Sequence, residues 1–354
     1  MTARKIGLHG SYNSRNFGDT LILKITHDWI KEHSKDNVVV FPQLRNKLEL
    51  QEITGSDKNP FDFDDLKGLV FGPGGYLGEP PHSFLKRMEW SYRNYKRHIK
   101  WSKQLRSRKI PYMMLGVGVG PISNLILRWE VIKLFKNASY IAVRDEISRN
   151  FLVKWGIDPA KINVFCDVAL SLPFYGPSQN MKKKIGLHLP GNDLEDFGKL
   201  EEFNGFIKDN SNEYSFSFIE DQAGQFSRLD KPNSTRDTLL ETGHPLDIIS
   251  YGSPNQLMDA LKEFDVIITS KLHVGIVSYA LGKPVISIPK HTKTVRFYNQ
   301  IGRAQFCVPF KDITKNKLQV LLDNSLANSD NKNIMFDQSL KNRELLFEFL
   351  DSLK

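Results

Sequence analysis

The chain predicts an α/β protein of two facing Rossmann-like domains. Three observations point there. Short apolar runs alternate with longer amphipathic segments, as in parallel strands crossed by helices. A polar, Pro- and Gly-rich stretch interrupts that alternation near the middle of the 354 residues. The second half ends in an unmistakable strand–helix–strand unit, FDVIITS, KLHVGIVSYALG, KPVISIP, in which Gly282 stops the helix and Pro284 opens the next strand.

The first half opens with the strand KIGLHG (Lys5 to Gly10), a Gly/Asn-rich loop and a helix from about Thr20, on which Leu21, Ile25 and Trp29 form one apolar stripe. NVVVF from Asn37 and GLVFGPGG (Gly68 to Gly75) read as further strands, the latter buried and ending in a glycine turn. His82 to Arg108 is basic, aromatic and helical in pattern. YMMLGVGVG (Tyr112 to Gly120) is a strand entering a glycine loop, the segment from Tyr140 is strand, turn and helix, and INVFCDVALSL from Ile162 closes this half. The linker chemistry of Pro173 to Lys184 divides the chain into residues 1–178 and 179–329. IGLHLPG (Ile185 to Gly191), YSFSFIE and DIISYG restart the pattern. Residues 330–354 end in a helix expected to pack back on the first domain. No internal repeat or low-complexity tract stands out.

Composition sets limits. Forty-nine Lys and Arg against 40 Asp and Glu give a formal charge of +9, which favours anionic ligands without choosing among them. Two distant cysteines, Cys166 and Cys307, form neither a metal spacing nor a disulfide framework, so a reducing compartment and no metal are expected. The N-terminal apolar run is too short for a signal peptide, and no stretch is long enough to span a bilayer. A cytoplasmic protein is expected, with peripheral contact at the inner face of the membrane left open.

In open parallel sheets, ligands bind beyond the carboxyl ends of strands. Residues just after strands are therefore the candidates. Asn16, Gly18 and Asp19 lie between a strand and a helix start, where unpaired N–H groups attract anions; Asp19 is either a helix cap or a general base. Gly74 and Gly75, like Gly116, Gly118 and Gly120, permit a sharp turn or close approach to a ligand. Arg144 follows the run YIAV. It either offers its fork to a carboxylate or phosphate or pairs with Asp145 or Glu146, and Asp145 is placed to cap the next helix. In SKLH, Ser270 can cap the helix, while Lys271 and His273 stand beside the positive end of its dipole. A bound dianion there would let His273 hold a proton and act as a general acid. Gly275, one turn on, leaves room for a ligand or for tight helix packing. Lys290, His291, Lys293 and Arg296 make a basic loop after the last strand. Glu220, Asp221 and Gln222 could reach sugar hydroxyls.

The ordered set of motifs resembles the polysaccharide pyruvyl transferase family over Ile6 to about Gly302. It comprises Asn16-Phe17-Gly18-Asp19, FGPGG, GVGVGP, Val143-Arg144-Asp145-Glu146-Ile147-Ser148, Asp167-Val168-Ala169, and S-K-L-H from Ser270 with the following G-x-P and Lys293. The resemblance implies a fold similar to B-type glycosyltransferases. It implies an exopolysaccharide or cell-wall enzyme that moves pyruvate from phosphoenolpyruvate onto sugar hydroxyls as a ketal, releasing phosphate and needing no cofactor. By position, Arg144, Lys271, Leu272 and His273 match residues that hold the donor, with His273 as proton donor. Asp19 or Asp167 would serve as base. The acceptor is a nucleotide-linked, lipid-linked or oligosaccharide sugar. Lys271 stands where many of the family carry arginine, keeping the charge but losing the fork. The alternative is a B-type glycosyltransferase with a nucleotide-sugar donor. Nucleic-acid binding, for which the basic stretch Lys86 to Arg108 is the best support, is not expected.

Overall fold

The computed structural model describes residues 4–79, 83–176, 182–222, 235–327 and 333–353. It divides into two units. The first comprises Met1–Asn13, Asp19–Val168 and Asp337–Lys354; the second comprises Ser14–Gly18 and Ala169–Phe336. The expected division at residue 178 and the expected junction at 329/330 both touch residues outside those described.

The first unit is built on a seven-stranded parallel sheet. Its strands are β1 (Lys5–His9), β2 (Val38–Val40), β3 (Leu66–Phe71), β4 (Gly74–Leu77), β5 (Tyr112–Val119), β6 (Tyr140–Val143) and β7 (Ile162–Val164). The order is β2-β1-β3-β5-β6-β7, with β4 also pairing with β5. The sequence pattern treats β3 and β4 as one strand and a turn. Pro73, which has no N–H to give, separates them, and Gly74 turns the chain at φ +141°. All eight residues of β5 are buried, as expected of a parallel strand covered on both faces. Leu69, Phe71, Met114, Val117 and Val143 form the centre of this core, each contributing about 1.5–3 kcal/mol through burial.

The second unit has a five-stranded parallel sheet: β8 (Lys183–His188), β9 (Tyr214–Ile219), β10 (Leu246–Ile249), β11 (Val266–Thr269) and β12 (Val285–Ser287), in the order β10-β9-β8-β11-β12. Leu187, Phe216, Phe218, Ile268 and Ile286 form its core. One repeat escapes the sequence reading: the pentapeptide KIGLH occurs at Lys5–His9 and again at Lys184–His188. It forms an inner strand of each sheet and ends in a buried histidine each time.

The helix expected from about Thr20 begins at Phe17 and runs to His33. Phe17 is fully buried, and its N–H donates to the Asp221 carbonyl at 2.9 Å, which gives the helix an earlier start. The basic segment forms helices Phe84–Asn94 and Lys100–Ser107 joined by a π-helical turn at Tyr95–Ile99; His82 lies outside the described residues. The C-terminal helix Phe336–Ser352 belongs almost wholly to the first unit. Asn342 donates to the Cys166 carbonyl, Ser339 donates to the Asp167 carbonyl, and Arg343 pairs with Glu32. A Cβ at Gly68 would lie 2.6 Å from Leu353 Cδ1, so the glycine lets the chain end close down on β3. Among the described residues no helix is long and apolar enough to cross a membrane.

Candidate active site

In the first unit, the candidate centre is Arg144, the residue after β6. Its backbone N–H approaches the Val117 carbonyl at 3.4 Å, continuing the sheet ladder, and its side chain is mostly buried. Asp145 is the cap of helix Glu146–Lys154 and accepts from the Ser148 N–H at 2.7 Å. Its other oxygen stands 3.7 Å from Arg144 Nε. Capping and pairing therefore coexist in one carboxylate.

The glycine loops acquire a purpose here. A Cβ on Gly118 would come within 2.7 Å of Arg144 Nε, and one on Gly75 within 3.0 Å of Nη2. The guanidinium lies against two bare backbones, one from β4 and one from the end of β5. Gly74 serves the turn rather than the arginine. Asp19 is inside the first turn of helix Phe17–His33, where a carboxylate favours the helix dipole, instead of preceding it as a cap. The adjacent Thr20 is fully buried and donates its hydroxyl to Glu49 at 3.0 Å.

In the second unit, SKLH follows β11. Ser270 was expected to cap the helix. The helix begins at Leu272, and its N-cap is Lys271, whose side chain makes no cap bond. Ser270 is instead tied inward: its N–H donates to the His188 carbonyl at 3.0 Å and its hydroxyl to Asp193 Oδ2 at 2.5 Å. Lys290 pairs with the other oxygen of Asp193, which is fully buried. Burial lowers the Lys290 ammonium from its usual value. The first turn of helix Leu272–Ala280 is thus held in place, and the positive end of its dipole suits an anion.

Lys271 is not a bare cation. Its Nζ donates to both oxygens of Asp221, at 2.7 and 2.8 Å. Burial would raise the Asp221 carboxyl, but Lys271 and His188 overcome this and hold it well below the usual carboxylate range. His188 Nε2 stands 3.4 Å from Asp221 Oδ1, and its Nδ1 lies 2.8 Å from the Thr269 hydroxyl. Burial pushes His188 down, with Asp221 opposing, so the imidazole is neutral near neutral pH. The Lys271 side chain remains 35% exposed, so its charge is positioned rather than sequestered.

His273 sits in the first turn of its helix, against Gly18. A Cβ at Gly18 would lie 2.0 Å from His273 Nδ1 and 2.4 Å from its Cβ. The glycine of N-x-G-D and the histidine of S-K-L-H, far apart in sequence, are one contact. Asn16 is brought into the same neighbourhood through an antiparallel bridge to Gln222, next to Asp221. Leu272 is buried and anchors the helix. Gly275 serves packing: a Cβ there would meet the Tyr298 hydroxyl at 2.7 Å. Lys293 is exposed in the first turn of another helix, Thr292–Gln300. Glu220 pairs with Arg236 and Gln222 donates to the Ser14 carbonyl, so these neighbours of Asp221 serve the protein itself. His188, Asp193 and Asp221 are supports that sequence patterns did not single out in that role. The repeated KIGLH was the available signal for His188.

The chain has counterparts among known proteins at the level of fold and family. The UDP-GlcNAc 2-epimerase of Neisseria meningitidis, solved bound to UDP-GlcNAc, is similar at TM-score 0.61 and 14% identity, covering 98% of this chain and 100% of that one. The UDP-GlcNAc 2-epimerase of Methanocaldococcus jannaschii gives TM-score 0.62 at 14% identity, covering 99% of each chain. Anabaena HepE in complex with UDP and glucose gives 0.54 at 11% identity, covering 99% and 100%. Identities this low establish a shared fold, that of B-type glycosyltransferases, and nothing more. No curated protein sequence matches the chain. The family profile of polysaccharide pyruvyl transferase matches residues 16–291, a span that runs from Asn16 of N-x-G-D through SKLH to His291. The glycine–histidine contact and the arginine on its glycine shelf therefore sit in a chain that belongs to the polysaccharide pyruvyl transferase family.

Proposed function

We propose that the protein transfers the pyruvyl group of phosphoenolpyruvate to two hydroxyls of one sugar, forming a cyclic ketal and releasing phosphate. Family membership supports this reading, and the observation that carries it to residues is the placement of His273 in the first turn of its helix, beside Lys271 and at the positive end of the dipole. In the proposed reaction His273 gives a proton to the donor's methylene carbon, which becomes a methyl group. Positive charge develops at the neighbouring carbon, and a sugar hydroxyl attacks it, losing its proton to Asp19 or Asp167. A second hydroxyl of the same sugar then displaces phosphate, which leaves with that hydroxyl's proton, and the ring closes. Arg144, Lys271 and Lys293 supply the positive charge that a carboxylate and a phosphate require. Leu272, Asn16, Gly74 and Gly75 are assigned to substrate binding. The reaction as written needs no cofactor, and the acceptor is a sugar carried on a nucleotide, a lipid or an oligosaccharide.

The shared fold lends some support to a second reading, transfer from a nucleotide sugar; the family favours the first. The test is a panel of sugar acceptors incubated with phosphoenolpyruvate or with nucleotide sugars, measuring inorganic phosphate against nucleoside diphosphate. Phosphate release that falls about 10²–10⁴-fold in His273→Ala, with the melting transition retained, is the expected result. Full turnover by that variant removes His273 from the chemistry. Release of nucleoside diphosphate alone replaces the proposal with the second reading.

A further inference from the structure

The segment of residues 83–109 carries ten Lys and Arg and a single acidic residue, Glu89, so it accounts for the chain's whole formal excess of +9. Large apolar side chains also face outward there. On helix Phe84–Asn94, Leu85 is 79% exposed, and Met88 and Tyr92, at helical spacing from it, are exposed too. On helix Leu125–Lys136, Leu125, Ile126 (75%) and Trp129 are exposed on one face, while Leu127, Val131 and Leu134 hold the helix to the core.

These two faces meet. Glu79, two residues past β4, accepts from the Ser91 hydroxyl of the first helix and from the N–H and hydroxyl of Ser123, just ahead of the second. The Asn124 amide reaches Met88 Sδ at 3.5 Å. The result is one apolar patch whose aromatic members carry cations: Lys96 Nζ lies 4.3 Å from the Tyr92 ring centroid, and Lys133 Nζ lies 2.9 Å from that of Trp129. Exposed Lys86 and Arg93 complete the basic surround. The patch springs from the loops after β4 and β5, the same strand-end edge of this unit from which Arg144 projects.

We infer that this face docks the protein on an anionic lipid surface, with the apolar side chains entering the headgroup boundary and the lysines and arginines meeting lipid phosphates. Charge complementarity selects the partner. Apolar anchors interleaved with basic residues are the chemistry of interfacial helices. A nucleic acid would use the basic residues and gain nothing from Leu85, Leu125 or Ile126. The inference does not depend on which group the enzyme transfers.

The test is sedimentation of the purified full chain with vesicles of phosphatidylcholine alone or mixed with phosphatidylglycerol, with tryptophan emission recorded alongside. Binding confined to the phosphatidylglycerol vesicles, a blue shift on binding, and weakening in 1 M salt, where the screening length is about 3 Å, are expected. The triple variant Leu125→Ser, Ile126→Ser, Trp129→Ser and the charge variant Lys86→Glu, Lys96→Glu should each bind at least about tenfold more weakly. Both change only exposed side chains, and a melting curve of each variant checks that it folds. Equal binding to neutral vesicles, or unimpaired binding by both variants, overturns the inference. So does an oligonucleotide that binds when vesicles do not, or a dimer that the same substitutions dissolve in the absence of vesicle binding.

Discussion

Replacing Gly18 by alanine puts one methyl group into the His273 corner. The new Cβ would lie 2.0 Å from Nδ1, 2.2 Å from Cγ and 2.4 Å from Cβ of His273. A comfortable contact is about 3.5 Å, so something must retreat by about 1.5 Å. Because the clash reaches the Cβ of the histidine, a rotamer change cannot relieve it; the start of helix Leu272–Ala280 or the Phe17–Gly18 backbone has to move. Overpacking of this kind costs about 1–3 kcal/mol. Alanine recovers up to about 1 kcal/mol through its better helix propensity. A net loss of about 1–2 kcal/mol corresponds to a melting temperature about 2–8 °C lower for a domain of this size. A displacement above 1 Å at a reacting group costs about a hundredfold in rate. Calorimetry and phosphate release, run together, should therefore show a modest stability loss and a much larger loss of turnover. Gly18→Ala with an unchanged melting temperature and full turnover would show that the close approach does not exist.

Two further predictions concern buried charge. Asp221→Asn removes the partner of Lys271 and leaves His188 facing an amide; the expected loss is about 2–3 kcal/mol in denaturant unfolding, below the usual figure for a broken buried pair because Lys271 is about a third exposed. A stability equal to the parent's would mean the pair does not form. His9, His98 and His188 are all lowered, chiefly by burial, with His9 pushed down to about 3. Their folded values lie below the unfolded value of about 6.5, so the unfolded chain takes up protons first and stability is complete above that pH. It should then fall as the pH drops from about 6.5 towards 3, by up to about 1.4 kcal/mol per pH unit for each imidazole that stays neutral. His9 and His98 touch at 2.9 Å and cannot both be charged. Melting temperatures that stay flat between pH 6.5 and 4 would contradict this account.

Fold class was legible in the order of residues alone, because parallel strands buried on both faces leave continuous apolar runs such as Tyr112–Val119 and helices between them leave periodic stripes. The family was legible too, through the order of the motifs, and Arg144 and His273 were marked by their positions after strands. Residue order did not reveal why those motifs contain glycine. A missing side chain is informative only when its neighbour is known, and the neighbours here lie far along the chain: Gly18 accommodates His273, while Gly75 and Gly118 accommodate Arg144. Nor could spacing show that Ser270 turns inward to Asp193 rather than capping its helix, or that Lys271 is held by Asp221. Hydroxyls and carboxylates choose partners by distance and burial, and only the folded chain supplies these.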